Sequence, residues 1–270
     1  MWFYVGLALF FLYLPVLILV VLSFNASRLN VNWTGFTFSW YAELWRDRDI
    51  MLAARNSLLV AFVSTAISTV LGTTLALGLY YRRDILNRIV DGLIYVPLVV
   101  PETVMGISLL AFYTKMGLGL GLTSVILAHV VFCIPFVTLI VQARLAGLDY
   151  HILEAAMDLG ATELRALLQV MLPLTVPGIV AGGLLAFTLS LDDFIVTFFT
   201  AGPGATTLPI YIYSMVKLGV SPKVNALSTI MLAITAITVI TVVFLLRTGS
   251  NGRKAHEKAQ SSSVTGLPFT

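Results

Sequence analysis

Long apolar runs separated by short polar segments dominate this chain. A transmembrane helix needs about 20 consecutive, mostly apolar residues. Six runs approach or exceed that length, and they are residues 1–27, 56–81, 89–114, 116–143, 177–200 and 224–246. The runs predict an all-α membrane protein with six transmembrane helices. Since six is an even number, both termini are expected on the same side of the membrane.

Composition also favours a protein that lies in lipid. Hydrophobic residues make up 59% of the 270 residues and charged residues only 11%, whereas soluble domains carry about 25% charged residues. The net charge of +3 comes from basic residues scattered between the apolar runs, which does not indicate nucleic-acid binding. The chain has one cysteine, Cys133, which excludes an intrachain disulfide and a cysteine metal cluster.

The two ends of the chain differ in character. No Lys or Arg precedes Arg28, and the first apolar stretch is longer than the core of about 7–15 residues found in signal peptides. We interpret it as a retained first span, with a cleaved signal as the less favoured alternative. Residues 248–270 are polar and are predicted to form a disordered tail. Residues 1–247 then form the transmembrane domain.

The segment 143–176, between the fourth and fifth runs, is too polar to cross a membrane. It predicts two short helices. Asp149 is placed to cap the first helix, which would run through Glu154 to Leu159. Gly160 follows at the position that a glycine prefers just after a helix C-terminus, so the first helix is expected to end there.

The second short helix would begin after Thr162, which can cap it. Glu163 lies in its first turn, where the helix dipole favours an anion. Pro173 and Pro177 are expected to end this helix, because an interior proline removes a backbone donor and clashes with the preceding turn. Together with the turn at Gly160, the two helices would form a compact knob.

Fixed positions recur through this segment, namely Glu154-Ala155-Ala156, Gly160 and Val170-Met171-Leu172-Pro173. With these positions the segment resembles the EAA loop of ABC importer permeases, with a valine at 170 where the family has isoleucine. The resemblance implies that the loop is cytoplasmic and docks into a cleft on an ATPase subunit. The coupling residues that follow from it are Glu154, Ala155, Ala156, Gly160, Glu163 and Pro173. Charge favours the same orientation only weakly, through the basic loop at Arg82 and Arg83 and the basic tail.

The physical character of this loop suits a docking surface, with an ordinary amphipathic loop as the alternative. Ala155 and Ala156 let a partner approach the backbone, and Glu154 offers an anion to a basic group on that partner. The ATPase itself is not encoded, because no lysine follows a glycine and precedes Ser or Thr, as a phosphate-binding loop requires. We therefore expect a protein that is not an enzyme, with ATP hydrolysis supplied by a separate subunit.

Acidic residues within the apolar runs mark a candidate path for a cation. Charged side chains in spans are costly and usually face the bundle interior or a water-filled path. The candidates are Asp91, Glu102, Asp192 and Asp193. No Lys or Arg lies in the third or fifth run to neutralise them, and an acidic lining suits a cationic substrate.

Asp192 and Asp193 are the leading candidates for the substrate pathway. On a continuous helix they would point about 100° apart, so that one would face the path and the other a neighbouring helix. Ser190 lies three residues before Asp193 and would share its face. The alternative is that the two carboxylates cap a helix or form hydrogen bonds at a subunit interface.

Two further pathway candidates lie outside the fifth run. Glu102 follows Pro97 and Pro101, whose interruption of the third span is typical of helices that line binding sites; a carboxylate just after a proline also suits a helix start. Trp40 offers an aromatic face to an ammonium group, with an anchor at the membrane interface as the simpler interpretation. Asp91 we interpret as structural.

Other residues within the spans are interpreted as packing features. Gly178, Gly182 and Ala186 recur every four positions, which lets two helices approach closely. His129 and Cys133 share a helical face, but two residues do not make a metal site. An interhelical hydrogen bond is therefore expected for His129.

Four further stretches are distinctive, and they are Ser190-Leu191-Asp192-Asp193, Ala201-Gly202-Pro203, Ile212-Tyr213-Ser214-Met215-Val216-Lys217 and Val224-Asn225-Ala226-Leu227. Through them the chain from residue 32 onward is similar to a permease of the spermidine/putrescine importer. The resemblance implies a type I ABC importer permease fold, a multi-pass protein of the bacterial inner membrane, and polyamine transport without a cofactor. It also implies the partners: a second permease subunit, two ATPase subunits and a periplasmic polyamine-binding protein.

Two other functions stay open on sequence grounds. An ABC permease for another cation or an opine-like solute would share much of the same pattern. A secondary transporter or channel working alone is a different class, and it would carry cation flux in liposomes without any ATPase.

Overall fold

The computed structural model describes residues 2–27, 32–81, 85–149 and 151–264; the side chains of Leu86 and of residues 245–264 are not part of that description. Arg28, Arg82 and Arg83 lie outside the described residues. The helices are α1 (Trp2–Leu22), α2 (Ser39–Arg46), α3 (Arg48–Tyr81), α4 (Ile85–Ile94), α5 (Val96–Val99), α6 (Glu102–Lys115), α7 (Leu122–Ala146), α8 (His151–Asp158), α9 (Glu163–Ala166), a π-helical turn (Leu167–Met171), α10 (Leu172–Asp192), α11 (Ile195–Thr200), α12 (Leu208–Leu218) and α13 (Pro222–Val264). The all-α prediction is confirmed.

Within the described ranges, five helical stretches are long and apolar enough to span a membrane. They are α1, α3, α7, the stretch Glu163–Asp192 and the Pro222–Phe244 part of α13. The bent pair Asn87–Val99 and Glu102–Lys115 makes a sixth span if it crosses as one broken unit. The six predicted spans therefore correspond to five continuous helices and one broken pair.

The third predicted span is interrupted where its prolines indicated. Val100 is extended, with φ −70° and ψ 128°, because the residue before a proline is disfavoured in the helical conformation. Helix α6 then begins at Glu102, immediately after Pro101. The break leaves Glu102 in the first turn of a helix, where a carboxylate complements the helix dipole.

The prediction that Pro173 and Pro177 end the second knob helix is wrong. The chain passes from α9 through the π-helical turn directly into α10, and Pro177 lies inside α10. A π turn changes the hydrogen-bond register just before Pro173. Such local adjustments satisfy the freed backbone groups and let membrane helices tolerate proline.

One compact unit of the fold combines residues 1–62, 102–129 and 191–236. Its apolar core joins α2, α3, α12 and α13. The buried members of that core are Leu44, Ile50, Ala53, Leu208, Ala226, Leu227 and Met231. Because α2 is strongly amphipathic, its apolar face packs on this core while its polar face stays exposed.

Two polar residues of α3 fix the start of α12 in this unit. Asn56 donates from Nδ2 to the carbonyl oxygens of Gly204, at 3.0 Å, and Thr206, at 2.9 Å. The Ser57 hydroxyl accepts a hydrogen bond from the Leu208 N–H at 2.7 Å. Loop backbone groups that would otherwise be buried without partners are thereby satisfied, and α12 is held in place.

An ion-pair cluster ties α2 to the start of α13. Lys223 Nζ lies 2.6 Å from Asp47 Oδ2 and 3.3 Å from Glu43 Oε1. Asp47 also accepts hydrogen bonds from the N–H groups of Asp49 and Ile50 at the start of α3. Burial acts to raise the pKa of Asp47, but the hydrogen bond from Lys223 and those from the backbone hold that pKa below its ordinary value.

The other compact unit combines residues 63–101, 130–190 and 237–270. Helices α7 and α10 approach closely within it. A Cβ atom at Gly178 would lie 2.6 Å from Cβ of Arg144, and Cys133 Sγ donates to the carbonyl oxygen of Ala186 at 3.6 Å. Close packing through the small-residue series that includes Gly182 is therefore confirmed.

The last described helix reaches into the predicted tail, and the disorder expected for residues 248–270 stays a prediction. Helix α13 runs to Val264 and so continues past residue 248, where the sequence predicted a disordered tail. The stretch contains Arg, Lys, Ala, Glu and Gln, which are good helix formers. Residues 265–270 lie outside the described residues, and the domain division at residue 248 stays a prediction.

Candidate substrate cleft and coupling knob

An open cavity of about 400 Å³ lies beside the end of α10, and we call it the cleft. Its lining residues are Asp192, Phe194, Pro209, Ile212, Tyr213, Val216, Ser228, Met231 and Leu232. Most of this lining is apolar, while Asp192 supplies a carboxylate and Tyr213 and Ser228 supply hydroxyls. A mostly apolar concavity with a few polar groups is the usual form of a small-molecule site.

The cleft has aromatic rings beside its carboxylate. The rings of Phe194 and Tyr213 lie 4.7 Å apart between centroids and are inclined by 43°. Phe198 continues this group, with its centroid 5.4 Å from that of Phe194. Asp192 is exposed at the last residue of α10. Carboxylates and aromatic faces are both groups that attract ammonium ions.

Asp193, the next residue, has the opposite environment. It is buried, and its Oδ2 atom accepts hydrogen bonds from the N–H and the hydroxyl of Thr197 at 2.8 and 2.7 Å. Its Oδ1 atom accepts from the Val196 N–H at 3.3 Å. His129 Nε2 lies 3.3 Å from Asp193 Oδ2 and 2.8 Å from the Thr197 hydroxyl. The interhelical hydrogen bond expected for His129 is confirmed, and it joins α7 to α11.

The break after Asp192 corrects the prediction of one continuous helix over residues 177–200. Helix α10 ends at Asp192 and α11 begins at Ile195, because the Asp193 carboxylate takes up the N–H groups of the first turn of α11. The expected 100° relation between the two aspartates does not apply across such a break. One carboxylate is exposed in the cleft and the other is buried in a hydrogen-bonded network.

Ser190 lies before the break and has a different partner from the one expected. Its hydroxyl is 2.9 Å from the hydroxyl of Ser64, and both side chains are buried. Because α10 ends at Asp192, Ser190 and Asp193 do not lie on one continuous helix, and the helical face expected to join them is absent. A role for Ser190 in the substrate pathway stays a prediction.

The remaining pathway candidates lie outside the lining of the cleft. Trp40 is half-buried and donates from Nε1 to the carbonyl oxygen of Asn25 at 2.7 Å, which fits an anchoring role for its polar edge. Glu102 is exposed at the start of α6. Asp91 Oδ1 accepts a hydrogen bond from Gln142 Nε2 at 3.0 Å, in keeping with a structural role.

The coupling knob, residues 151–166, has the predicted helix–turn–helix form. Asp149 Oδ1 accepts from the His151 N–H at 3.0 Å and so caps α8. Gly160 has φ +90°, a conformation that glycine adopts without a steric penalty, and it follows the end of α8. Thr162 is extended just before α9, but its side chain makes no capping hydrogen bond within the described part of the chain.

The tip of the knob carries exposed apolar side chains that the sequence reasoning missed. Leu159 is 90% exposed and Leu164 is 65% exposed, whereas Leu153 of α8 and Ala166 of α9 are buried. The sequence signal for this exposed surface was the position of Leu159 directly before the turn glycine Gly160. A side chain at such a turn cannot easily point into the fold. Leu159 and Leu164 therefore place exposed apolar surface on an otherwise polar loop.

The charged side of the knob is partly engaged within the chain. His151 Nδ1 lies 3.0 Å from Glu154 Oε2, and both side chains are exposed. The hydrogen bond to Glu154, and then the charges of Asp149 and Glu154, raise the pKa of His151. Glu154 therefore has a local partner that binds it most strongly when the histidine is protonated.

The other coupling candidates surround the knob. Ala155 is exposed and Ala156 is half-buried. Glu163 lines a second cavity, of about 430 Å³, together with residues of α3, α9 and the π-helical turn. Pro173 is exposed near the start of α10. The exposed members leave the knob open to a partner along α8 and the turn.

Comparison with known proteins adds a family and close relatives. The family described as "Binding-protein-dependent transport system inner membrane component" matches residues 68–255. The spermidine/putrescine transport system permease protein PotC of Escherichia coli K12 is 43% identical over 248 residues, covering 92% of this chain and 94% of PotC. The putrescine transport system permease protein PotI of the same strain is 42% identical over 234 residues, covering 84% and 83%.

Solved structures share the fold at low sequence identity. A bacterial ABC transporter that imports the acidic polysaccharide alginate matches with a TM-score of 0.67 and 17% identity, over 91% of this chain and 92% of that one. The methionine ABC transporter MetNI in an inward-facing conformation matches with a TM-score of 0.58 and 21% identity, over 77% and 98%. At these identities the likeness concerns the fold alone.

Proposed function

This chain belongs to the family of binding-protein-dependent transport system inner membrane components, and we propose that it carries polyamines into the cell as one permease subunit of an ATP-driven ABC importer. Its helices suit a multi-pass position in the bacterial inner membrane. The relatives named for spermidine and putrescine are similar along nearly the whole chain, which supports a polyamine as the substrate.

The combination of charged, aromatic and apolar groups in the cleft is the observation that most supports a polyamine as the substrate. A polyamine is a flexible methylene chain with several ammonium groups. In the cleft, the exposed Asp192 carboxylate binds one ammonium by charge, and the ring of Tyr213 attracts a second through its face. The apolar side chains of α12 and α13 accept the methylenes between them.

The two aspartates have different roles in this proposal. Asp192 contacts the substrate, because its carboxylate is exposed in the cleft. Asp193 is a positioning residue, because its hydrogen bonds to Thr197, Val196 and His129 hold α11 in place. Ser190, Glu102 and Trp40 remain proposed pathway residues that act away from the cleft.

The knob supplies the connection to ATP. In the proposed complex, two copies of an ATPase subunit bind the knobs of this chain and of a second permease subunit. The exposed Leu159 enters an apolar groove on the ATPase, and Glu154 meets a basic group beside it. Closure of the ATPase pair then moves α8, α9 and the helix that continues from them, while a periplasmic binding protein delivers the polyamine.

Reconstitution tests this proposal directly. The chain is purified with a second permease subunit and an ATPase subunit encoded by neighbouring genes, and placed in proteoliposomes with the neighbouring binding protein. We expect ATP hydrolysis to rise when spermidine-loaded binding protein is added, with spermidine uptake dependent on ATP. Cation flux through the chain alone would instead indicate a secondary transporter or channel, and stimulation by another solute but not by spermidine would change the substrate.

A further inference from the structure

Lys217 lies over the ring of Tyr213, one of the aromatic residues that line the cleft. Its Nζ atom is 4.7 Å from the centroid of the Tyr213 ring, within the range of a cation–π interaction. Tyr213 lines the cleft and packs against Phe194. The chain itself therefore already supplies a cation to one of the aromatic groups that attract the substrate.

The position of Lys217 allows this contact to form and break. Lys217 is one helical turn after Tyr213 on α12, so the two side chains share a face. Both are exposed, and within the described residues Lys217 forms no ion pair with a carboxylate. A solvated lysine on a flexible stem is held at an exposed ring by only a weak attraction.

We propose that Lys217 is a tethered competitor for the ring of Tyr213, and that an incoming polyamine ammonium displaces it. This inference rests on the proposed function and adds a residue to its binding step. Competition from a tethered cation weakens the hold of the cleft on polyamine without removing it. A transport site benefits from such weakening, because a substrate that binds too tightly is released slowly.

A simpler interpretation places Lys217 only as a cation in the last turn of α12, where it complements the helix dipole. The two interpretations differ in what arginine does. For the dipole, arginine and lysine are equivalent charges. For the ring, arginine is the stronger competitor, because its planar guanidinium stacks on aromatic faces.

The test measures spermidine binding to the purified complex of permease and ATPase subunits, by equilibrium dialysis without binding protein. Lys217→Met is expected to lower the Kd about 2- to 5-fold, the range set by a cation–π contact at an exposed site. Lys217→Arg is expected to raise it. In a Tyr213→Leu background both changes should lose their effect, whereas Tyr213→Phe should keep it.

Matched controls make the outcomes distinct. Lys115→Met removes an exposed lysine from the last turn of α6 and should leave the Kd unchanged. An unchanged Kd in both Lys217 variants, or an equal effect in the Tyr213→Leu background, would overturn the competitor role while leaving polyamine transport intact. Absence of spermidine binding to the unaltered complex would overturn the cleft as the substrate site and this inference with it, whereas the proposed function is contradicted separately, by the absence of ATP-dependent spermidine uptake in the reconstitution with binding protein.

Discussion

At the scale of single residues, the adjacent Asp192 and Asp193 lie in different environments. Asp193 is buried and surrounded by donors, so exchanging them for substrate would leave buried groups without partners. Asp192 is exposed in an apolar cleft and has room for a ligand. The helix break between them produces this difference, because it turns one carboxylate into a cap and leaves the other free for the cleft.

Asp192→Asn should reduce spermidine uptake by roughly 10- to 100-fold, because a hydrogen bond to a charged group contributes about 1.5–3 kcal/mol. Complex assembly and basal ATP hydrolysis should be kept, since the residue is exposed. Uptake into proteoliposomes measures the change. Asp49→Asn, at an exposed acid of α3, is the control, and equal uptake by both variants would contradict the assignment.

His129→Phe should destabilise the complex by about 1–3 kcal/mol, because it leaves the buried Asp193 carboxylate short of a partner. Thermal unfolding followed by intrinsic fluorescence measures the loss. His129→Gln keeps a donor near the same place and should recover part of it. A His129→Phe complex as stable as the original would show that the network does not hold α11.

The contact between His151 and Glu154 predicts a pH-dependent knob. The pKa of His151 is raised in the fold. The contact between His151 and Glu154 therefore stabilises the folded knob fully below pH 6.5, and this stabilisation is lost as pH rises through the raised pKa. Hydrogen exchange of the α8 amides, corrected for intrinsic rates, should show protection falling across that window. His151→Gln should remove the dependence; protection that falls equally in the variant would exclude the histidine.

At the scale of elements, the knob depends on one backbone conformation, while α10 depends on tolerating proline. Gly160 at φ +90° lets α8 and α9 fold into a helix–turn–helix. Downstream, the π-helical turn passes the chain into α10 despite Pro173 and Pro177. The knob is therefore continuous with a membrane-spanning helix, which gives a movement at the knob a rigid element to act on.

Gly160→Val should weaken the association of the ATPase subunit with the complex. A β-branched residue at φ +90° costs about 1–2 kcal/mol in backbone strain, and the turn would relax by changing the direction of α9. Co-purification of the ATPase measures the loss. Gly92→Ala, in α4 where an added Cβ meets nothing within 4 Å, should bind the ATPase normally. Equal ATPase yields from the two variants would show that the turn geometry is not needed.

At the scale of the whole molecule, the chain presents apolar surfaces that it does not cover itself. Helix α1 buries none of its side chains in the described structure, and Leu159 at the tip of the knob is 90% exposed. Lipid accounts for exposed apolar side chains on a span, but not for a leucine on a polar loop. These surfaces fit a subunit that is completed by partners.

Leu159→Asp should abolish ATPase association while leaving the fold of the chain intact, because the side chain is almost fully exposed. The variant should insert in the membrane normally and fail to support ATP-dependent uptake. Leu218→Asp, at a leucine that is 92% exposed at the end of α12, is the matched control. An ATPase that still binds the Leu159→Asp complex would place the docking surface elsewhere.

Local sequence was sufficient for the spans, the knob and the acidic positions. Span length follows from hydropathy alone, since the bilayer requires about 20 apolar residues whatever else the chain does. The knob was predictable because Asp149 and Gly160 act within a few residues of their own positions. The interhelical hydrogen bond expected for His129 was also correct, as a buried imidazole in a span must find a partner.

Tertiary packing decided the break after Asp192, the passage of α10 through its prolines, and the composition of the cleft. Asp193 caps α11 with support from His129, a residue from a distant helix, so no local pattern could separate the two aspartates. The cleft gathers side chains from α10, α12 and α13. Long-range contacts of this kind carry no sequence period, because they depend on how whole helices meet and not on the spacing within any one of them.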